Sequence, residues 1–188
     1  KFGDYAPLSV GQVRAAGLSI KQLQQAGGEL TTVANNQVMA LVRTSLNQVA
    51  NAASQQVYQS NQDVTNRYRY VATLDSRTSP ICRALDGQEF EYGKGPTPPQ
   101  HFNCRSTTVP VIDYERLGIE PPKQGKRRSR DGLVPANQTY GQWLYKQSKE
   151  EKADILGPEK VPYFNRLARK YGPTDAIRKF VSEDGSEL

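Results

Sequence analysis

The sequence predicts an α+β fold, in which a long N-terminal helix leads into a small antiparallel β-hairpin module and a C-terminal helical extension follows. Three observations predict this order. Residues 33–60 contain neither proline nor glycine and repeat apolar residues every three or four positions. Short segments rich in β-forming residues cluster between residues 67 and 112. Helix-capping patterns return after residue 139.

The predicted N-terminal helix has an apolar face and a polar face that is almost free of charge. A short helix over residues 20–26 precedes it and is predicted to end at Gly27-Gly28. A face of Gln, Asn, Ser and Thr suits packing either against a partner protein or against the chain's own domain, so residues 1–66 are predicted as a helical, partner-docking region. The apolar face consists of Val38, Val42, Leu46, Val49, Ala53 and Val57.

Residues 67–112 are predicted to form the central α+β module. Its strands are expected at residues 67–75, 88–92 and 106–112, with a helical turn over 80–86 that stops at Gly87. Pro110 places the third strand at an edge or near its end, because proline cannot donate to a central ladder. A module this small has little core and benefits from a covalent or metal staple.

Residues 113–138 are predicted as a basic, proline-rich linker, and residues 139–188 as a C-terminal helical extension that packs around Trp143. The run 123–130 within this linker accounts for most of the net charge of +6, because it has five cations and no acidic residue. Such a run is either a solvated linker or a surface that attracts the phosphates of nucleic acid. The candidate DNA-binding residues are Lys126, Arg127, Arg128 and Arg130.

Composition excludes two classes of protein. The longest clean apolar run, residues 38–42, is far shorter than the roughly 20 residues that a membrane-spanning helix needs, so no membrane partner is expected. Ten tyrosines and recurring aliphatic residues argue against a fully disordered chain despite the mean hydropathy of −0.71. No secretory signal opens the printed sequence, which begins at Lys1 as a fragment or a processed product does.

The rarest side chains of the sequence fall within one short window. Its two cysteines and one histidine are Cys82, His101 and Cys104. Thiolate and imidazole ligands suit a structural Zn²⁺, with Asp75, Asp86 or water as the fourth ligand. A Cys82–Cys104 disulfide and two buried free thiols beside a hydrogen-bonded histidine are the other interpretations. A catalytic Cys–His pair lacks an oxyanion loop, so no catalytic residue is assigned.

Four charged residues frame the same window, namely Asp75, Arg77, Asp86 and Arg105. The ordinary role of such residues in tight turns is to pair with each other or to hold backbone groups in place. The functional alternative is a polar cleft that acts on nucleic acid.

Two long segments of the central module resemble the phage Mu F-like minor head proteins, also called the phage head morphogenesis family. The first segment is Tyr70–Gly87, and the second is Pro98–Pro110. The helix around residues 41–44 and the tail at residues 139–157 resemble the family's flanking parts, so the likeness extends from about residue 30 to 175. Many relatives have two further cysteines, at the positions where Ser79 and Ser106 stand here.

The resemblance implies a minor capsid protein of a tailed bacteriophage that associates with the portal vertex and procapsid during head assembly. Its partners would be the portal protein, capsid proteins and packaged double-stranded DNA, with the basic linker facing the DNA. It would reside in the virion, in the head interior or at the portal vertex, after synthesis in the host cytoplasm. Because only Cys82, His101 and Cys104 match the family's cysteine and histidine positions, the expected cofactor is either none or a structural zinc ion.

Two further hypotheses compete with a structural role. A nuclease-like or transferase-like enzyme would use His101 and Arg105, assisted by Asp75 or Asp86. A non-specific nucleic-acid-binding module would stack bases on Tyr68 and Tyr70, which alternate with Arg67 and Arg69.

Overall fold

A computed structural model describes residues 20–181 of the chain. The helices are α1 (Ile20–Gln59), α2 (Pro80–Leu85), α3 (Tyr114–Leu117), α4 (Tyr140–Tyr145), α5 (Lys149–Leu156), α6 (Val161–Tyr171) and α7 (Pro173–Phe180). The strands are β1 (Thr65–Val71), β2 (Glu89–Glu91), β3 (Thr107–Ile112), β4 (Lys126–Ser129) and β5 (Gly132–Pro135). The predicted α+β class is confirmed. The predicted regions 1–66 and 139–188 include residues 1–19 and 182–188, which lie outside the described part.

The chain divides into two compact units, and the boundary lies inside α1, after Val42. The described part of the first unit, residues 20–42, is helical. The second unit begins at Arg43 and contains the sheet, the hairpin and the C-terminal helices. No described helix has the length and apolar content needed to cross the hydrocarbon core of a bilayer.

Helix α1 continues through Gly27 and Gly28, so the prediction that these glycines end a shorter helix is wrong. A glycine inside a helix costs about 0.5–1 kcal/mol but keeps its backbone N–H, so the hydrogen-bond ladder can continue. The Thr32 hydroxyl also donates to the Gly28 carbonyl at 2.9 Å. A pair of glycines therefore weakens this helix without ending it.

The polar face of α1, not the apolar one, packs against the sheet of the second unit. The Asn47 amide donates to the Ser106 carbonyl at 3.0 Å, and the Gln55 amide donates to the Thr108 hydroxyl at 3.0 Å. The Tyr58 hydroxyl donates to the Thr108 carbonyl at 3.2 Å. The six residues of the predicted apolar face are all exposed. The amide side chains thus attach this part of the helix to β3.

The central sheet is antiparallel, with the strand order β2-β1-β3. The second and third strands lie where the sequence predicts them, whereas β1 begins two residues before and ends four residues before the predicted range 67–75. Pro110 lies on an edge strand as expected. The middle strand buries Tyr68 and Tyr70 completely. A ring with no exposed surface cannot stack on a base, so the hypothesis of a base-stacking platform on these tyrosines is wrong.

Residues 113–138 contain regular structure as well as the predicted linker-like prolines. Helix α3 is followed by an antiparallel hairpin of β4 and β5, in which Ser129 pairs with Gly132. The hairpin is fixed to the end of the central module, because the Arg130 N–H donates to the Leu74 carbonyl at 2.9 Å. The basic run is therefore part of the folded unit.

The C-terminal helices form the larger hydrophobic core around Trp143, as the sequence predicts. Capping boxes begin α4 at Thr139 and α5 at Ser148. Helix α4 approaches α7 closely at Gly141, where an added Cβ atom would lie 2.2 Å from the Pro173 carbonyl oxygen. Only glycine permits this approach, since real Cβ atoms do not come so near another heavy atom.

Candidate metal centre

The fold brings the two cysteines and the histidine of the sequence into one cluster. Cys82 lies on α2, while His101 and Cys104 lie in the turn that precedes β3. The Cys82 Sγ is 3.4 Å from the His101 Nε2 and 3.8 Å from the Cys104 Sγ. Both cysteines are free and buried. A distance of 3.8 Å far exceeds the roughly 2.05 Å of an S–S bond, so no disulfide joins them.

The ring of His101 is held in the tautomer that ligates metals. Its Nδ1 lies 2.8 Å from the Phe102 carbonyl oxygen, which can only accept, so Nδ1 carries the proton. The lone pair of Nε2 then faces the Cys82 sulfur. A backbone carbonyl that fixes the far nitrogen in this way is the usual support for a metal-bound histidine.

The separations within the cluster match those of a tetrahedral zinc site. With Zn–S distances of about 2.3 Å, two sulfurs on a tetrahedron stand about 3.8 Å apart. A sulfur and an imidazole nitrogen stand about 3.5 Å apart for a Zn–N distance of about 2.05 Å. The observed separations are 3.8 Å and 3.4 Å, and all three ligand atoms lie within 4.8 Å of one another.

The two thiols differ in their affinity for a proton. A hydrogen bond from Cys82 lowers the pKa of the Cys104 thiol to about 4, although burial opposes this. The same bond and burial raise the pKa of the Cys82 thiol. The pair therefore retains one proton near neutral pH, and a metal ion would have to displace it.

The fourth ligand position is not supplied by either predicted aspartate. Asp75 and Asp86 are each engaged by an arginine, as described below, and the described residues offer only three close ligand atoms. A cavity of about 10 Å³ adjoins Cys82 and His101, which is close to the space that one water centre needs. The buried Ser79 hydroxyl lines it and has no hydrogen-bond partner of ordinary geometry among the described residues. The donor set fits Zn²⁺ with water as the fourth ligand.

Asp75 pairs with arginines, as the sequence predicts. The Arg105 guanidinium donates to both Asp75 oxygens, at 2.6 Å and 2.7 Å, and the Arg77 Nη2 lies 4.0 Å away. Burial opposes ionisation of the Asp75 carboxyl, but the hydrogen bonds and charge of Arg105 outweigh it and lower its pKa. Asp75 is thus an ionised, oriented partner of Arg105.

Asp86 is the buried hub that joins three parts of the second unit. One carboxylate oxygen accepts from the Ala72 N–H at 2.7 Å, and the other accepts from the Tyr140 N–H at 2.7 Å. The guanidinium of Arg127 donates to both oxygens, at 3.0 Å and 3.1 Å. The side chain has no exposed surface. Asp86 therefore connects the sheet, the hairpin and helix α4.

The four candidate DNA-binding residues have different surroundings. Arg127 is mostly buried against Asp86, and Arg130 pairs with Glu151 and Asp131. Lys126 and Arg128 are exposed on β4. The sequence analysis did not predict the buried ion pair of Arg127 and Asp86, because these residues are 41 positions apart in the chain. The Asp131-Gly132 dipeptide favours a turn, but the turn residues of the hairpin are Arg130 and Asp131, and a turn signal does not show which cation of β4 is buried.

The alternative enzymatic residues are engaged in the structure. The two ring nitrogens of His101 lie against the Phe102 carbonyl and the Cys82 sulfur, and Arg105 is bound to Asp75. The cavity beside His101 has room for about one water. This arrangement can hold a turn rigid or bind a metal ion.

A family model described as "Phage Mu protein F like protein" matches residues 10–109. The match includes Cys82, His101 and Cys104 and ends within β3. No curated protein and no solved structure gives a significant match.

Proposed function

Because this chain belongs to the phage Mu protein F-like family, whose members are phage head morphogenesis proteins, we propose that it is a minor capsid protein that associates with the portal vertex and procapsid. It would be made in the host cytoplasm and retained in the virion, in the head interior or at the portal vertex. The observation that carries this proposal is the structural role of the motif residues that the chain shares with the family. Its cysteines, histidine and Asp86 are buried or bonded inside the fold, which suits a rigid building block.

The exposed side of α1 supports docking to a portal or capsid protein. Leu46, Val49 and Val57 expose 66%, 68% and 59% of their surfaces, although the opposite side of the helix is attached to β3. Aliphatic side chains spaced along one helical face are typical of helix-docking anchors. This exposed face of the second unit is proposed as the surface that meets the partner.

Co-purification with the portal ring tests the proposal. The chain is expected to co-elute with assembled portal or with procapsids, and the variant L46S/V49S is expected to lose most of this association. The matched control is L133S, because Leu133 is 64% exposed on the hairpin and lies outside α1. If the unaltered chain associates with neither portal nor procapsid, the proposed role is wrong.

We further propose that Cys82, His101 and Cys104 hold a structural zinc ion. Support comes from the tetrahedral separations of the ligand atoms and from the proton on the His101 Nδ1. When bound, the ion would cross-link α2 to the turn before β3. Such a staple suits a module whose own buried cluster is small, with Tyr70, Ala72, Cys82 and Cys104 at its centre.

Metal analysis and intact-mass measurement of the chain purified without added reductant test this proposal. One equivalent of zinc is expected, and cobalt substitution is expected to give thiolate charge-transfer and tetrahedral absorption bands. C82S should abolish both signals, whereas S79A should leave the stoichiometry at one because water fills the fourth position. Two reactive thiols with no bound metal would contradict the assignment. A mass lower by two hydrogen atoms would also contradict it, because it indicates a disulfide.

Contact with packaged DNA is proposed for the exposed cations of the hairpin. Lys126 and Arg128 are the two candidates that remain free to reach phosphates, because Arg127 and Arg130 are engaged in ion pairs. Exposed cations of this kind bind phosphates with a strong dependence on salt. The variant K126Q/R128Q is therefore expected to weaken DNA binding and to reduce its dependence on salt.

A further inference from the structure

An arginine-lined groove of about 870 Å³ lies beside the candidate metal centre. Three segments far apart in the sequence each contribute a guanidinium: Arg43 from α1, Arg77 from the loop after β1, and Arg105 from the turn before β3. Leu46, Asn47, Asn103 and Cys104 complete the lining. No motif in the sequence brings these seven residues together.

The groove has an excess of positive charge. Asp75 is the carboxylate that pairs there, and it is shared by Arg105 at 2.6 Å and Arg77 at 4.0 Å. Within residues 20–181, Arg43 makes no ion pair. Three guanidinium groups therefore face one carboxylate, which leaves about two uncompensated positive charges.

Two other arginine sites of the second unit are balanced more closely. Arg67 and Arg69 both contact Glu89 across the sheet, at 3.2 Å and 2.7 Å. Arg127 has Asp86 to itself at 3.0 Å. The side chain of Arg77, in contrast, is 79% exposed, and its carboxylate contact is at the outer limit for an ion pair. A cation in that position is available to an anionic ligand.

The walls of the groove are held in place by hydrogen bonds. Asn103 adopts a left-handed backbone conformation, with φ of 58°, and its N–H donates to the Thr44 hydroxyl at 3.0 Å. The Asn47 amide donates to the Ser106 carbonyl at 3.0 Å. Asp75 orients the guanidinium of Arg105 through two bonds. A pre-formed site loses less entropy on binding than a flexible one.

We propose that this groove binds the phosphodiester backbone of nucleic acid. The planar fork of arginine matches the geometry of phosphate oxygens and gives charge-assisted, bidentate hydrogen bonds. Phosphates recur along a strand, so successive phosphates can engage guanidiniums from different segments. The inference rests on the proposed location in a DNA-filled head, which favours nucleic acid over an acidic protein segment, but it uses residues other than the hairpin cations.

Salt-dependent DNA binding of the full chain tests this inference. A labelled 20-bp duplex is titrated at several salt concentrations, and log K is plotted against log [salt]. The variant R43Q/R77Q is expected to reduce the magnitude of the slope by about 1.8, which is 0.9 for each lost phosphate contact. The charge-matched control R166Q/R169Q, on the exposed side of α6, is expected to leave the slope unchanged. Equal melting temperatures would show that all variants fold.

The hairpin variant K126Q/R128Q separates this inference from the proposed DNA contact of β4. If only the hairpin variant reduces the slope, the groove is not a phosphate site and the contact of β4 stands. If the unaltered chain shows no salt-dependent binding, both proposals are wrong. A further outcome is that polyglutamate of matched charge binds as tightly as DNA and that R43Q/R77Q abolishes its binding. In that case the groove binds an acidic protein, and the assignment to nucleic acid is overturned.

Discussion

Replacement of Asp86 by alanine is expected to lower the free energy of unfolding by about 3–5 kcal/mol. The substitution leaves the mostly buried guanidinium of Arg127 without its carboxylate. It also deprives the N–H groups of Ala72 and Tyr140 of their acceptor. Each of these losses leaves a desolvated polar group unpaired, which is costly. Urea denaturation followed by the fluorescence of Trp143 measures the change.

A surface pair provides the control for Asp86. Glu89 forms ion pairs with Arg67 and Arg69 near the surface, and E89Q is expected to cost no more than about 1 kcal/mol because water screens such pairs. The double variant D86A/R127M should recover part of the loss, since it removes the stranded charge as well. If D86A unfolds at the same urea concentration as the unaltered chain, Asp86 is not the hub described here.

Replacement of Trp143 by alanine is expected to cost about 3–5 kcal/mol through the cavity that it leaves. The ring is 1% exposed and meets Tyr140 edge-on, with centroids 5.2 Å apart. Its Nε1 also donates to an Asp131 oxygen at 2.9 Å, which ties helix α4 to the turn of the hairpin. Thermal unfolding followed by far-ultraviolet circular dichroism measures the loss.

The matched control for Trp143 lies on the same helix. Tyr145 is 38% exposed, so Y145A should cost less than about 1 kcal/mol. The variant W143F should fall between the two, because it keeps an aromatic ring but loses the hydrogen bond to Asp131. Equal losses for W143A and Y145A would show that the C-terminal core does not centre on Trp143.

Local patterns in the sequence were enough to predict most of the elements. The β-forming segments, the capping boxes at Thr139 and Ser148, and the Gly-Pro stops after α5 and α6 act within a few residues of chain. The Cys82–His101–Cys104 cluster was also predictable, because these side chains are rare and fall in one window. In each case a short-range preference agrees with the tertiary structure.

The contacts that the sequence did not predict are long-range ones. Nothing in the run 126–130 distinguishes Arg127, which is mostly buried, from Arg128, which is exposed. The sequence left the orientation of α1 open, since apolar residues usually face the core although an uncharged polar face also suits packing against the chain's own domain. Here the amides of Asn47 and Gln55 find partners on β3, so the polar face packs and the apolar face stays outside.

The position of Arg127 determines where this chain can be divided. The family match ends at residue 109. The carboxylate of Asp86 lies within the match but pairs with Arg127, which is 18 residues beyond its end. A polypeptide cut at the end of the match would lose Arg127 and the Tyr140 N–H, so the Asp86 carboxylate would exchange two of its partners for water. The matched region of this chain therefore does not contain every residue that holds it together.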